Sequence, residues 1–477
     1  MKRLILMYPN QRWQLNRDTN TTWDLNPATL CLLAAVVKDI VEIKIIDAQF
    51  YDLSQDDFMR EIEAFAPDYV GVSIMTSEYQ DTLDIAAAII KSADSKIITI
   101  AGGVHVTTKY DYVMQNTNID YAVRGEGEET FRSLMLYFVG LAPFPQKGVV
   151  FRENDRITAQ QAALVEDLSV IPSPDYSHIQ LSDYLNRGGR FGPNRPPEFP
   201  AYRIVTTRGC PFGCSFCQVE TISGKNVRAR SPEAVVAELI NVKNKYGIKS
   251  IIFEDDNMLM ADGGKFAKKL FNLMIETDLG LKWTAIAFAI FLLTDELLEL
   301  MAESGCIGIN IAIESGNSRV LSEIVQKRAL DLSKVPEQIK RIKANNLFCI
   351  ANFIIGFPGE TWDEIRQTIA FAEHCGADYV KFFVAVPLYG TKLYDYALQS
   401  GTIQCDDLYP KTDWRHSQIS SEEWTSRDIT ILRAYEWDRI NFSPERINKV
   451  SNLWGMSLEE LQVIRKKTRD ATLLEYA

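Results

Sequence analysis

The sequence has no excess of basic residues and no long hydrophobic run. Its 477 residues include 51 lysines and arginines against 63 aspartates and glutamates, which gives a net charge of -12. That charge has the wrong sign for a protein that binds phosphate backbones broadly, so we expect no nucleic-acid partner. The longest apolar stretches, 30–37 and 283–293, fall well short of the ~20 residues of a membrane helix, and we expect no membrane insertion.

Cysteine and histidine are also scarce, with 8 and 4 residues respectively. The first apolar run stops at Pro9 and has no small-residue cleavage site after it, so secretion is not indicated. Three cysteines crowd into residues 210–217, whereas the others are scattered through apolar patterns. This distribution excludes a disulfide scaffold and predicts a cytoplasmic protein with one thiolate site.

Residues 1–141 alternate short apolar runs with longer amphipathic ones, which predicts an α/β domain with a doubly wound, Rossmann-like parallel sheet. The predicted strands are 4–7, 43–46, 69–74, 97–100 and 121–123, and the predicted helices are 27–37, 55–65, 78–92 and 128–138. Such sheets bind ligands at the carboxyl ends of their strands. The residues at those ends are Thr76, Ser77, Glu78, Gly102, Gly103, Val104, His105, Gly125, Glu126, Gly127 and Glu128.

Repeated prolines in 142–200 predict a linker and wrapping segment. In 201–395, six strand–helix units predict a partial (β/α)6 TIM-like barrel, whose reactive face lies at the strand carboxyl ends. The predicted strands are 203–207, 250–253, 282–287, 307–313, 349–354 and 379–383, and the predicted helices are 232–246, 264–276, 295–303, 335–344 and 362–374. Residues 396–477, rich in Trp and Tyr, predict a mainly helical C-terminal cap that we expect to face the substrate.

A cysteine motif follows the first predicted barrel strand, with Cys210, Cys214 and Cys217 inside eight residues. Three thiolates can bind three irons of a [4Fe-4S] cluster, and no fourth cysteine follows at a usual spacing, so one iron would stay open. Structural zinc is the alternative, and it needs a fourth ligand such as Cys306 or His178 from elsewhere in the fold. An open iron suits S-adenosylmethionine (SAM), which chelates through its amino and carboxylate groups.

This motif after the first strand of a six-unit barrel resembles the radical SAM superfamily. The resemblance implies that Asp255 or Asp256 holds the methionine ammonium of SAM. It also implies contacts from the Glu314–Ser315 pair to the ribose hydroxyls and the methionine moiety. The remaining implied contacts are with the adenine, from Gly356 and Pro358 in the turn after the fifth strand and from the ring of Phe216.

A doubly wound domain before such a barrel resembles the cobalamin-dependent branch of the superfamily, in which a corrinoid sits between the two domains. The matching segments are 72–76, 102–107 and 124–130. The Asp-x-His-x-x-Gly motif of many cobalamin proteins is absent from the sequence, so the resemblance implies a corrinoid with a detached tail base and no histidine below cobalt. We expect His105 to be a hydrogen-bonded turn residue, although cobalt ligation and a domain that has lost cobalamin are alternatives.

The resemblance implies an enzyme that methylates an unactivated carbon of a small molecule or natural-product intermediate. Cobalt would take a methyl group from one SAM, giving methylcobalamin. A second SAM would be cleaved to methionine and a deoxyadenosyl radical, with an electron from an external donor such as flavodoxin or ferredoxin. The alternatives are ring formation, ring contraction or oxidation without methyl transfer, a radical enzyme without corrinoid, and a metal-binding or corrinoid sensor.

Replacing all three motif cysteines with alanine tests this interpretation. We expect the variant to lose its iron and to form no deoxyadenosine, because no thiolates remain to hold a cluster. It should still retain cobalamin, and metal analysis and spectra after anaerobic reconstitution measure both properties. Iron retention in this variant would contradict the assignment, whereas loss of both cofactors would indicate general misfolding.

Overall fold

The computed structural model of the protein describes residues 1–14, 26–75, 80–154, 156–187, 198–403 and 414–474, the last four of these as backbone only. The chain divides into two compact units. The first contains residues 1–188 with 221–224, and the second contains residues 189–220 with 225–477.

The first unit is built on a seven-stranded sheet with the order β2-β1-β3-β4-β5-β6-β7. Its strands are β1 (Arg3–Tyr8), β2 (Glu42–Asp47), β3 (Tyr69–Ser73), β4 (Ile98–Gly102), β5 (Tyr121–Val123), β6 (Val149–Glu153) and β7 (Arg156–Ala159). The pairs among β1 to β5 are parallel, as predicted, and β6 and β7 extend the sheet as two antiparallel strands, with β7 at the edge. These two strands lie inside the range predicted as linker, where the adjacent Val149 and Val150 are fully buried.

Helices cover both faces of this sheet. They are α1 (Ala28–Val37), α2 (Gln55–Phe65), α3 (Gln80–Ala93), α4 (Val104–Asn116), α5 (Gly127–Phe138) and α6 (Leu181–Arg187). One core contains Leu6 with residues of α1 and α5, and the other contains Met7 with residues of α2, α3 and α4. Sequence patterning missed α4, because its β-branched residues and weak amphipathicity do not favour a helix.

The second unit contains the predicted parallel series as two three-stranded sheets. The strands are β8 (Ala201–Ile204), β11 (Ser250–Phe253), β12 (Lys282–Ala285), β13 (Gly308–Glu314), β14 (Phe348–Ile355) and β15 (Tyr379–Val384). Parallel bridges from Trp283 to Cys306 and from Phe288 to Ile311 link the β12 and β13 segments. The six strands are therefore parallel, and their carboxyl ends share one mouth, as a partial barrel requires.

Helices alternate with these strands and continue to the C-terminal region. They are α7 (Val219–Ile222, whose last two residues belong to the first unit), α8 (Pro232–Tyr246), α9 (Lys265–Glu276), α10 (Asp295–Glu303), α11 (Val335–Ala344), α12 (Trp362–His374), α13 (Lys392–Gln399), α14 (Ser426–Asn441), α15 (Ile447–Trp454) and α16 (Leu458–Leu474). A short antiparallel pair, β9 (Thr207–Arg208) and β10 (Arg228–Ala229), interrupts the series after β8.

The outer edge of β15 is covered by the C-terminal helices. The side chain of Asn441, at the end of α14, accepts from the N–H of Val380 and donates to the oxygen of Val380, both at 2.8 Å. This bonding satisfies an edge that would otherwise be open to another strand. Trp437 and Trp454 pack around Tyr379 beside it. In the described part of the chain, no helix combines the length and apolarity needed to span a bilayer.

Candidate functional site

The cysteine loop begins directly after the β9 strand, where Gly209 adopts a φ of +98° that glycine tolerates without strain. Two distant segments fix the loop through the backbone of Ser215. Its N–H donates to the oxygen of Val325 at 3.0 Å, and its oxygen accepts from the N–H of Leu393 at 2.9 Å. The loop therefore has a defined conformation set by residues that lie far from it in sequence.

The end of β11 provides the closest support for this loop. The buried carboxylate of Asp255 accepts from the N–H and the hydroxyl of Thr206, at 2.6 and 2.9 Å, and from the N–H of Thr207. The next residue, Asp256, accepts from the N–H of Gly209 at 2.8 Å.

The third residue of this run, Asn257, reaches the motif itself. Its Nδ2 donates to Cys210 Sγ at 3.5 Å. Three consecutive side chains after one strand therefore bind the backbone and the first thiol of the loop that follows another strand.

Burial dominates the electrostatics of these groups. It raises the pKa of Asp255 to about 7, although the hydrogen bonds from Thr207 and Thr206 act in the opposite direction. Burial also raises the pKa of the Cys214 thiol to about 11 and that of Cys217 to about 12. These two thiols are therefore protonated at neutral pH until a metal displaces the proton, as metal binding to cysteine requires.

A buried polar atom in the cysteine loop indicates which kind of group these residues fit. The hydroxyl of Ser215, between Cys214 and Cys217, is buried without a hydrogen-bond partner. A cluster sulfide beside it would supply an acceptor, so these residues fit a [4Fe-4S] group.

The structure brings the predicted adenine turn next to the cysteine motif. The ring of Phe216 lies 6.1 Å from that of Phe357, which separates Gly356 from the buried Pro358. The turn is closed by Glu360, whose carboxylate accepts from the N–H of Gly356 at 2.8 Å and of Phe357 at 3.0 Å. Burial raises the pKa of Glu360 to about 8, and its Oε1 has no hydrogen-bond partner.

The C-terminal region covers this turn. Trp424 donates from Nε1 to the backbone carbonyl oxygen of Glu360 at 2.9 Å. A Cβ atom at Gly356, whose φ is +81°, would lie 2.8 Å from the side chain of Ile429. The turn is therefore held both from inside, by its own glutamate, and from outside, by the residues that precede and begin α14.

Glu314 and Ser315 end β13 in different environments. Glu314 has a φ of +74°, an unfavourable conformation for a residue with a side chain, and its buried carboxylate pairs with Lys327 Nζ at 3.0 Å. The fully buried hydroxyl of Ser315 shares a hydrogen bond with the Thr368 hydroxyl at 2.9 Å and accepts from the N–H of Asn317. The hydroxyl of Ser315 is thus already engaged inside the protein.

A separate cavity of about 100 Å³ opens in the first unit, at the carboxyl ends of its strands. Its lining residues come from four parallel strands and from the two helices of one face: Leu6, Thr29, Leu30, Leu33, Gly71, Val72, Ser73, Ile100, Ala101, Gly102, Gly103, Val123, Gly125, Gly127, Glu128 and Phe131. This is the edge of a doubly wound sheet at which ligands bind.

The glycines of this cavity serve different purposes. A Cβ at Gly103 would lie 2.2 Å from the oxygen of Ile74, and a Cβ at Gly125 would lie 2.1 Å from the oxygen of Ala163. Both also have positive φ, so the fold itself requires glycine there. A Cβ at Gly102 would meet no atom within 4 Å. Gly102 therefore differs from Gly103 and Gly125, because a larger side chain at this position would enter empty space without a clash.

The other predicted residues of this unit lie around the cavity or beyond it. Val104 begins α4, and Glu126 accepts from the N–H of Val165 at 2.6 Å. His105 is buried, its Nε2 bonds to Gln80 Oε1 at 2.6 Å, and burial lowers its pKa to about 4. This agrees with a neutral, hydrogen-bonded residue at a helix start. Thr76, Ser77 and Glu78 lie outside the described residues.

Sequence reasoning missed several side chains at the barrel mouth, namely Asn257, Lys327, Glu360 and Trp424. Asn257 and Glu360 stand inside the motifs that drew attention, and the signal available in the sequence was a polar residue within each motif. Lys327 and Trp424 belong to segments without a motif, so only the fold brings them to the strand ends.

Two family models match the chain. Residues 204–372 match the model of the radical SAM superfamily, and residues 19–135 match the model of the B12 binding domain. The first match contains the cysteine motif and the ends of β11, β13 and β14, and the second contains most of the cavity lining.

The chain is also similar to proteins of known name. It is 31% identical to the uncharacterized methyltransferase PH0819 of Pyrococcus horikoshii over an alignment of 443 residues, which covers 91% of each protein. It is 27% identical over 421 residues to the cytidylyl-2-hydroxyethylphosphonate methyltransferase of Streptomyces wedmorensis, covering 81% of this chain and 78% of that one. The solved structure of the radical SAM methyltransferase TsrM from Kitasatospora setae, with cobalamin and a [4Fe-4S] cluster bound, shares the fold, with a TM-score of 0.70 at 18% identity over 85% of this chain and 76% of that one.

The chain is thus a radical SAM enzyme by its barrel, its motif and its family match. More narrowly, it belongs to the cobalamin-dependent branch of that superfamily, and its cofactors are a [4Fe-4S] cluster, SAM and cobalamin.

Substitutions of Asp255 test whether this residue anchors the cysteine loop. Asp255→Ala leaves two buried N–H groups without an acceptor, at a cost of about 1–3 kcal/mol each, so we expect iron incorporation to fall severalfold. Asp255→Asn keeps one oxygen for those donors and should retain most of the iron. The exposed Asp363→Ala is the control, and iron and sulfide per chain are measured after anaerobic reconstitution. A normal iron content in Asp255→Ala would contradict the anchoring role.

Proposed function

We propose that the protein methylates an unactivated carbon of a small molecule, using SAM and cobalamin. The observation that carries the proposal is the joint presence of a barrel with an open three-cysteine loop and a doubly wound domain with a strand-end cavity. Two relatives that cover most of this chain carry methyltransferase names, which supports the same reaction class, whereas other relatives of similar coverage are named as cyclases and correspond to the alternative without methyl transfer. When bound, the cluster with SAM supplies a carbon-centred radical, and the corrinoid supplies a methyl group.

Cys210, Cys214 and Cys217 would hold the iron–sulfur group, while the side chains after β11 hold their loop. Of the two aspartates proposed for the methionine ammonium, Asp256 is the better candidate. It is less buried than Asp255, and Asp255 is saturated by donors from Thr206 and Thr207. A carboxylate whose oxygens already accept hydrogen bonds inside the fold has little capacity to bind a further donor.

The remaining SAM contacts would come from the strand ends beside the motif. Glu314 would contact SAM through Oε2, since Lys327 binds Oε1, and its backbone keeps a conformation that costs about 1–3 kcal/mol, as residues at functional sites often do. The pair of Phe216 and Phe357, with Gly356 and Pro358, offers an apolar surface for the adenine ring. We retain Ser315 as a proposed contact through its backbone, since its hydroxyl is engaged with Thr368.

The cavity of the first unit would receive the detached nucleotide tail of the corrinoid. Gly102, Gly103, Gly125 and Gly127 expose backbone there, and Glu128 adds a buried carboxylate. Val104, His105 and Glu126 would support this wall from behind, and Thr76, Ser77 and Glu78 remain proposed contacts from the sequence. His105 would not bind cobalt, because its ring is buried and its Nε2 is bonded to Gln80.

The reaction requires electrons, so we also propose an external one-electron donor such as flavodoxin or ferredoxin. A cytoplasmic location fits both this donor and a site that depends on reduced thiols.

Filling the cavity tests the corrinoid site. We expect Gly102→Leu to fold normally and to bind hydroxocobalamin at least about tenfold more weakly, since the new side chain occupies the proposed tail site. Gly103→Ala should instead lower the thermal unfolding temperature, because its Cβ would clash with Ile74. Absorbance titration and thermal denaturation distinguish the two. Unchanged cobalamin affinity in a folded Gly102→Leu variant would contradict the assignment.

Transfer of a labelled methyl group tests the reaction itself. The reconstituted full chain is supplied with SAM that carries a trideuterated methyl group, a low-potential reductant and candidate substrates drawn from small natural-product intermediates. We expect the product mass to rise by the mass of the labelled methyl group. A product formed over repeated turnovers without the label would refute methyl transfer and favour ring formation, ring contraction or oxidation.

A further inference from the structure

Asn257 is placed to act on the cluster rather than only on the loop. It follows the two loop-anchoring aspartates, is 8% exposed, and directs its amide at Cys210 Sγ. The aspartates already hold the loop backbone at Thr206, Thr207 and Gly209. The contact from Asn257 is different in kind, because it reaches a sulfur that would bind iron.

The environment of this contact increases its electrostatic effect. Asn257 and the next residue, Met258, are buried, and so is Ser215 in the loop, whereas Asp256 and Cys210 are partly buried. The donating amide therefore lies in a largely buried environment. In a medium of low polarity, one oriented N–H dipole has a larger effect on a nearby negative charge than it has in water.

Hydrogen bonds to the sulfurs of an iron–sulfur cluster are among the factors that set its reduction potential. On reduction the cluster accepts one electron from a low-potential donor, and no bond forms or breaks in that step. The added negative charge is shared with the cysteine sulfurs. A donor to one of these sulfurs therefore stabilises the reduced state more than the oxidised state and raises the potential.

We propose that Asn257 raises the reduction potential of the cluster through its hydrogen bond to Cys210, and so makes the cluster reducible by a biological donor. The proposal rests on the proposed function in one respect, namely that these cysteines hold a [4Fe-4S] cluster. Asn257 is thus a positioning residue that acts through a metal ligand.

The test is an EPR-monitored redox titration of the anaerobically reconstituted full chain. Asn257→Leu removes the donor, and Asn257→Asp replaces it with a carboxylate of the same shape. We expect the midpoint potential to become more negative in both variants, and most negative in Asn257→Asp. Asn272→Asp is the matched control. It makes the same chemical change on an exposed face of α9, where the amide bonds only to the oxygen of Lys268, and it should leave the potential unchanged.

A second readout separates this role from a structural one. A strong artificial reductant should still reduce the cluster fully in every variant, whereas a weaker biological donor such as flavodoxin should reduce a smaller fraction of it than in the wild type, as measured by the EPR signal. Equal midpoint potentials in wild type and both variants would overturn the proposal. Folded variants that bind no iron would also overturn it, since Asn257 would then be needed for cluster assembly. If the wild type itself holds no cluster, the proposed function fails rather than this inference alone.

Discussion

The site depends on one set of contacts, in which the side chains after β11 bind the cysteine loop after β9 and the two threonines before it. A loop of this length does not by itself hold three cysteine sulfurs in one arrangement, and burial raises the pKa of two of these thiols. Asp255 and Asp256 restrain the loop by accepting hydrogen bonds from the N–H groups of Thr206, Thr207 and Gly209. Since parallel strands of a barrel end at the same mouth, a short carboxylate run after one strand can hold the loop of its neighbour.

The mouth of the barrel combines several features that cost stability. Glu314 has a left-handed backbone, and Glu360 is a buried carboxyl with one unpartnered oxygen. Each persists because neighbouring contacts hold it, namely Lys327 for Glu314 and the N–H groups of Gly356 and Phe357 for Glu360. The C-terminal region contributes through Trp424, whose Nε1 donates to the backbone carbonyl oxygen of Glu360. This region therefore helps to shape the proposed SAM site and does more than close the edge of β15.

Much of this could be predicted from the sequence, because periodic apolar patterns determine elements and a spaced cysteine motif determines chemistry. The five parallel strands of the first sheet and the six of the barrel agree with their predicted positions within a few residues. Helix α4 could not be predicted, since its stability comes from packing Val106 and Val113 into the core rather than from local propensity. The different roles of Asp255 and Asp256 could not be predicted either, because they depend on which backbone N–H groups the fold brings to each carboxylate. The same holds for Gly102 and Gly103, which are adjacent glycines with opposite structural constraints.

The central claim is that Cys210, Cys214 and Cys217 hold an iron–sulfur cluster with one iron left open for SAM. Mössbauer spectroscopy of the full chain reconstituted with iron-57, recorded with and without SAM, tests it most directly. A single iron site should change its signal when SAM is added, while the cysteine-bound irons keep theirs. A spectrum that SAM leaves unchanged, or a site filled by zinc after reconstitution with both metals, would contradict the account.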